Sequence, residues 1–168
     1  VFNPEFLTEA NSIEDFKNQN RIILGGPRPA TTVVKTLYSK VFPKVPIIKT
    51  GPTTAEMVKY ITNCFLATKV SFSNEMYQLC NKLNIDYNKI VELVLLDQRI
   101  GKTHLKVPGP DGHYGFGGTC FPKDLVSLIK TFDINDVDAF ILKAAWERNC
   151  KIDRKEKDWT KLKGRSVV

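Results

Sequence analysis

No apolar run in these 168 residues approaches the twenty or so needed to span a bilayer, and no basic-then-apolar leader opens the chain. The expectation is a cytoplasmic protein with no membrane partner. CxxC pairs are missing too. The four cysteines (Cys64, Cys80, Cys120 and Cys150) stand far apart, and only two histidines, His104 and His113, could support a metal. No metal site is expected, and three of the four thiols read as structural or incidental. Zinc-finger spacing, an aromatic RNA-binding signature and a basic helix are all absent. The net charge of +7 favours anionic partners, but the lysines are scattered, and the densest stretch, "KIDRKEKDWTKLKGR", mixes acids with its bases. Either a lysine-rich solvated surface or a phosphorylated small molecule accounts for that charge, and no nucleic-acid partner is expected.

Glycine and proline are absent between Thr53 and Leu83, which predicts one long helix. Pro52 precedes it, and Thr53 with Glu56 reads as a capping box. Met57, Ile61, Phe65, Phe72, Met76 and Leu79 fall on or near one stripe of that helix, a face suited to several neighbours or to a second copy of the chain. Upstream, residues 1–50 read as α/β: a strand in "RIILGG" (21–26), a helix over 31–42 and a second strand in "VPIIKT" (45–50). Downstream come a helix capped by Asp86, a long Gly/Pro-rich loop over 97–118, a helix from Pro122 to about Thr131 and another near Asp136–Cys150. A charged linker, 151–164, then leads to a short strand at 165–168. The chain opens on "VFNPEF" and stops on "GRSVV", as if both ends were strands cut mid-course, so a segment of a longer protein is expected.

Three groups of residues carry chemistry. Glu5 and Glu9 would share a face if their stretch were helical; next to Asn3 and Pro4 a turn, or two surface acids at a helix start, is the alternative. Lys59 and Asn63 are neighbours on the long helix, a cation and an amide donor suited to a developing oxyanion, though a solvated polar face has the same pattern. Finally, "GFGGTCFPKDL" (115–125) runs glycines into a thiol at the mouth of a helix, with Lys123 and Asp124 one turn on. Unpaired N–H groups and the positive end of the helix dipole meet Cys120 there, a setting in which thiols act as nucleophiles. No nearby histidine offers a Cys–His pair, which disfavours a papain-like protease. A thiolate capturing an aldehyde on its way from alcohol to acid fits better.

"NPEFLTE", "AEMVKYITN", "DQRIG" and "GFGGTCFPKD", in this order, resemble the UDP-glucose/GDP-mannose dehydrogenase family, and the resemblance covers essentially the whole chain. It implies an α/β fragment, mostly helical: a helical central, dimerisation domain with one long helix, flanked by partial Rossmann-like pieces. Residues 1–51 would end an NAD-binding Rossmann domain, 52–150 would be the central domain, and 151–168 would begin a UDP-binding domain. The GxGxxG dinucleotide fingerprint is absent, so this stretch alone is expected to bind NAD poorly and to be inactive.

Carried over by motif, Cys120 is the implied nucleophile, Lys59 and Asn63 flank the reacting oxygen, Asp124 places a water or orients those groups, and Glu5 is the acid–base residue. Phe6, Leu7, Thr8, Glu9, Arg99, Tyr114, Gly115, Phe116 and Gly117 are implied substrate contacts. Arg99 would reach the partner subunit's site, and the glycines would leave room beside the sugar. Glu9, Phe121, Pro122 and Lys123 would face the cofactor, NAD. The implied reaction is two-step oxidation of a UDP-sugar in a homodimer built on the long helix, with the UDP-glucose branch favoured. GDP-mannose or a UDP-N-acetyl sugar, or a non-catalytic dimerisation module, are the alternatives.

Overall fold

The computed structural model describes residues 1–7 and 11–161. The strand expected at 165–168 lies outside them. The chain divides into two compact units, Val1–Thr62 and Asn63–Val168.

The first unit is built on a β-α-β turn of chain. Strand β1 (Ile22–Gly25) pairs in parallel with β2 (Ile47–Thr50) in the register Ile22 to Ile47 through Gly25 to Thr50. Every residue of β1 is buried, as a continuous apolar run in a parallel strand should be. Phe2 adds an antiparallel bridge to Gly25. A short helix α1 (Ser12–Lys17) precedes β1, and helix α2 (Arg28–Val41) joins the strands. Helix α2 begins three residues earlier than the sequence reading because Pro29 sits in its first turn, where a missing N–H breaks no bond. Asn3 ties the N-terminal segment down: its amide donates to the Ile23 carbonyl at 2.9 Å, and the Tyr38 hydroxyl donates to its side-chain oxygen at 2.6 Å. At Gly25 a Cβ would stand 2.7 Å from the Ala55 Cβ, so glycine is what allows β1 to approach the next helix.

That helix, α3 (Pro52–Lys82), is the predicted long one, 31 residues without a break. Its start corrects the sequence reading. Pro52 is itself the first helical residue, the Ala55 N–H donates to the Gly51 carbonyl at 3.1 Å, and Thr53 lies inside the first turn instead of capping it. Proline is favoured at that position because its fixed φ suits the helix and its absent N–H would have had no partner.

In the second unit, α3 buries a face of small residues, Cys64, Ala67 and Ser71, and the Ser71 hydroxyl donates to the Ala145 carbonyl at 3.2 Å. Helix α4 (Tyr87–Val94) starts as expected, with the Asp86 carboxylate accepting from the Asn88 N–H at 2.9 Å. Helix α5 (Cys120–Ile134) is longer at both ends than 122–131, so Pro122 is its third residue. Its C-terminal turn uses 135–137, with the Val137 N–H returning to the Phe132 carbonyl at 3.0 Å. Helix α6 therefore begins only at Phe140, runs to Arg148, and passes into a π-helical turn, Asn149–Asp153. Within the stretch expected as a linker, 154–161, some residues are buried and others exposed. Trp159 is 1% exposed and packs at a tilt against Trp146 with ring centres 5.5 Å apart, and Asp153 and Arg154 are buried. No helix among the described residues is long and apolar enough to cross a membrane.

Candidate active site

In the first unit, residues 1–7 form no helix and α1 starts only at Ser12, so Glu5 precedes that helix. Thr8 and Glu9 themselves lie outside the described residues. Glu5 is nevertheless brought to Lys59: the lysine Nζ donates to the Glu5 backbone carbonyl at 3.0 Å, leaving the exposed carboxylate beside it free of that bond. Phe6 is half-buried beneath the Arg21 guanidinium, 4.3 Å from its ring centre, and Leu7 is half-buried.

In the second unit, the Asn63 amide donates to Asp124 Oδ2 at 2.5 Å, and Lys123 Nζ makes an ion pair with Asp124 Oδ1. Asp124 is 1% exposed, so two donors compensate the cost of burying its charge. Of the two residues implied to be oriented by Asp124, Asn63 meets it here, and Lys123 is the second partner. One turn back along α5, Cys120 is the first helical residue, half-buried, its Sγ 3.7 Å from the Thr119 hydroxyl. Cys64, beside Asn63 on α3, has the opposite environment. It is 2% exposed, and burial first, then the Asp124 charge, push its thiol up to about 12. Burial also raises the Cys150 thiol. Of these three thiols, Cys120 alone heads a helix that begins at a glycine-rich loop.

The glycines of that loop do make room, but for the protein itself. Gly115 has φ +66°, and a Cβ on it would stand 2.3 Å from Asn149 Oδ1; one on Gly117 would stand 2.5 Å from the Arg154 Cζ. The Gly115 N–H donates to Asn74 Oδ1 at 3.2 Å and the Phe116 N–H to Asn149 Oδ1 at 2.8 Å, while the Asn149 amide returns to the Phe116 carbonyl at 2.9 Å. Phe116, 3% exposed, is a core ring whose backbone N–H and carbonyl are both bonded to Asn149. Tyr114 remains accessible at 45% exposure, against Tyr77 with ring centres 5.8 Å apart. Arg99 extends into solvent with its guanidinium on Asp97, the Nη2 to Oδ2 distance being 2.5 Å; that pair raises the arginine further and lowers the aspartate.

The implied cofactor contacts fare differently. Pro122 is fully buried, Phe121 packs its ring on His104 and Phe116, and Lys123 is engaged by Asp124. Among the described residues no group of three His, Cys, Asp or Glu side chains could hold a metal. Four residues that sequence reading passed over, Asn74, Asp111, Asn149 and Arg154, hold the loop in place. Their partners lie 33 to 43 positions away, beyond any local spacing rule.

A model of the central domain of the UDP-glucose/GDP-mannose dehydrogenase family matches residues 53–151. A curated relative, UDP-glucose 6-dehydrogenase of Rickettsia typhi, is 39% identical over 149 residues, covering 88% of this chain and 33% of the relative. The solved structure of a UDP-glucose dehydrogenase from Pyrobaculum islandicum superposes with a TM-score of 0.75 at 37% identity, over 88% of this chain and 33% of that one. A UDP-D-ManNAc dehydrogenase from Pyrococcus horikoshii superposes with a TM-score of 0.71 at 28% identity, over 88% and 32%. The chain thus spans about a third of the length of the proteins it matches.

Proposed function

The chain belongs to the UDP-glucose/GDP-mannose dehydrogenase family, and on that premise we propose that it forms the cysteine-bearing part of an enzyme that oxidises UDP-glucose to UDP-glucuronate. The observation that carries this reading is Cys120, accessible at the first residue of α5, one turn from a buried carboxylate that holds an amide and an ammonium in place. Once the sugar's primary alcohol has become an aldehyde, the Cys120 thiolate adds to its carbon. A C–S bond forms and negative charge moves to oxygen, where Lys59 and Asn63 supply the cation and the amide donor. Loss of hydride from that adduct leaves a thioester. Water then attacks with Glu5 accepting its proton, the C–S bond breaks, and the thiolate leaves behind a carboxylate.

The two oxidations need a hydride acceptor. NAD is assigned that role on the family premise alone, which implies Glu9, Phe121, Pro122 and Lys123 as the residues of this chain that would face it. The partner of the reaction is then a nucleotide sugar, whose diphosphate accounts for part of the basic balance, and the second subunit is another copy docked on α3. UDP-N-acetylmannosamine is the competing substrate, supported by the likeness to the Pyrococcus horikoshii structure.

The protein expressed from its complete reading frame, given UDP-glucose and NAD, is expected to release NADH. Cys120→Ser is expected to lose at least about a hundredfold in rate, the scale seen when a nucleophile is removed. Serine at Cys64, Cys80 or Cys150 is expected to leave the rate within a few fold. Equal loss at all four positions sinks the assignment of the nucleophile, and a wild-type protein inert toward every nucleotide sugar favours a non-catalytic dimerisation module.

A further inference from the structure

Arg154 lies 34 positions after Cys120, in the charged stretch that looked like a linker, yet it is 4% exposed. Its Nε and Nη2 form a two-pronged bond to Asp158 at 2.8 and 2.7 Å, and its Nη1 reaches back to Asp111 Oδ2 at 2.7 Å. The guanidinium lies flush on the backbone of Gly117: a Cβ there would sit 2.5 to 2.6 Å from Cζ, Nε and Nη2. Asp111 also accepts the His113 N–H at 3.1 Å, so the same carboxylate shapes the loop and ties it to Arg154. Burial pushes Asp111 up, but the hydrogen bonds and charge of Arg154 outweigh it and hold the carboxyl below its usual range.

We propose that Arg154 is a positioning residue that clamps the glycine loop, through Asp111 at one end and the Gly117 backbone at the other, so that Cys120 is presented in one place. The reason a clamp is needed lies in the loop. Gly112, Gly115 and Gly118 all take positive φ, and glycine surrenders more freedom on ordering than any other residue. Without outside contacts, the short run between Gly117 and the nucleophile would wander. A displacement of about 1 Å at a reacting atom is enough to lose on the order of a hundredfold in rate. Arginine suits the position because its planar fork satisfies two carboxylates at once and still lies flat against a peptide; lysine has neither property.

The proposal rests on the dehydrogenase reading for its consequence and not for its geometry, so the test has two arms. In the protein from the complete reading frame, Arg154→Ala and Asp111→Asn are compared with wild type. Asp111 sits on the exposed rim, so its variant folds even if the arginine variant does not. Amide hydrogen exchange at residues 115–119 is expected to accelerate at least tenfold in either variant, with α4 unchanged. The turnover rate, normalised to Cys120 thiols that titrate, is expected to fall about tenfold for Asp111→Asn and more for Arg154→Ala, with KM within threefold. The double variant is expected to be no worse than Arg154→Ala alone, since both act through one contact. Unchanged exchange in the loop overturns the clamp, whatever the activity. Faster exchange with an unchanged normalised rate overturns its role in positioning. If wild type oxidises no nucleotide sugar, the dehydrogenase reading fails while the exchange arm still decides whether Arg154 clamps the loop.

Discussion

Cys64 and Cys120 share a neighbour, Asp124, and differ in what surrounds them. For Cys64 the carboxylate is a second penalty on top of burial, and the thiol is held at about 12. At pH 8 its thiolate fraction is on the order of one in ten thousand, too small to compete with an accessible thiol. Alkylation of the native protein followed by peptide mass mapping should therefore label Cys120 and spare Cys64 until the chain unfolds; equal labelling rates would show the environments to be misassigned. The same shift has a stability consequence. Because the folded state keeps the Cys64 proton to higher pH than the unfolded state, ν for the native state exceeds that of the unfolded state from about pH 8.5 upward. Stability falls as pH rises through that window toward the folded value. Cys64→Ala should lower the neutral-pH stability by about 1 kcal/mol, for the lost packing, and flatten the alkaline decline of Tm. A decline as steep as wild type would show that another group causes it.

Helix starts make the clearest comparison among the elements. Asp86 and Thr53 both look like caps in the sequence, each a small polar residue just ahead of an apolar helical run. Only Asp86 is one: its backbone is extended and its carboxylate accepts the Asn88 N–H, whereas Pro52 takes the first helical position and leaves Thr53 inside. Asp86→Ala should cost about 1 kcal/mol by thermal or denaturant unfolding, and Thr53→Ala should stay within about 0.5 kcal/mol. The reverse order would mean the α3 start is misread. The same contrast explains what was legible. Composition and periodicity placed both strands and the long helix to within a few residues, because glycine and proline punctuate them. Cys120 and Asp124 on α5 were readable because one helical turn joins them, as were Lys59 and Asn63 on α3. The hold of Asn149 on Phe116 and of Arg154 on Asp111 was not: those pairs are 33 and 43 residues apart, beyond the reach of any local spacing.

At the scale of the molecule, one apolar face that stays exposed among the described residues is the outer stripe of α3. Ile61, Phe65, Phe72 and Leu79 are 57%, 67%, 60% and 51% exposed, while Cys64, Ala67 and Ser71, on a flanking face of the helix, are buried. An aromatic and aliphatic row on a 31-residue helix is costly to leave in water and long enough for a stable interface of about 800 Å² per partner. A second copy is the occupant that the family premise favours, and a two-fold pairing would bring the stripe against itself. Phe72→Asp tests this cleanly: its side chain is already mostly exposed, so the fold should keep its circular dichroism, while two carboxylates would face each other across the axis. Light scattering on the protein from its complete reading frame should give a dimer for wild type and a monomer for Phe72→Asp at micromolar concentration. A dimer that survives the aspartate would place the second subunit elsewhere, and a wild type that is monomeric at the same concentration would leave the α3 stripe for another segment to cover.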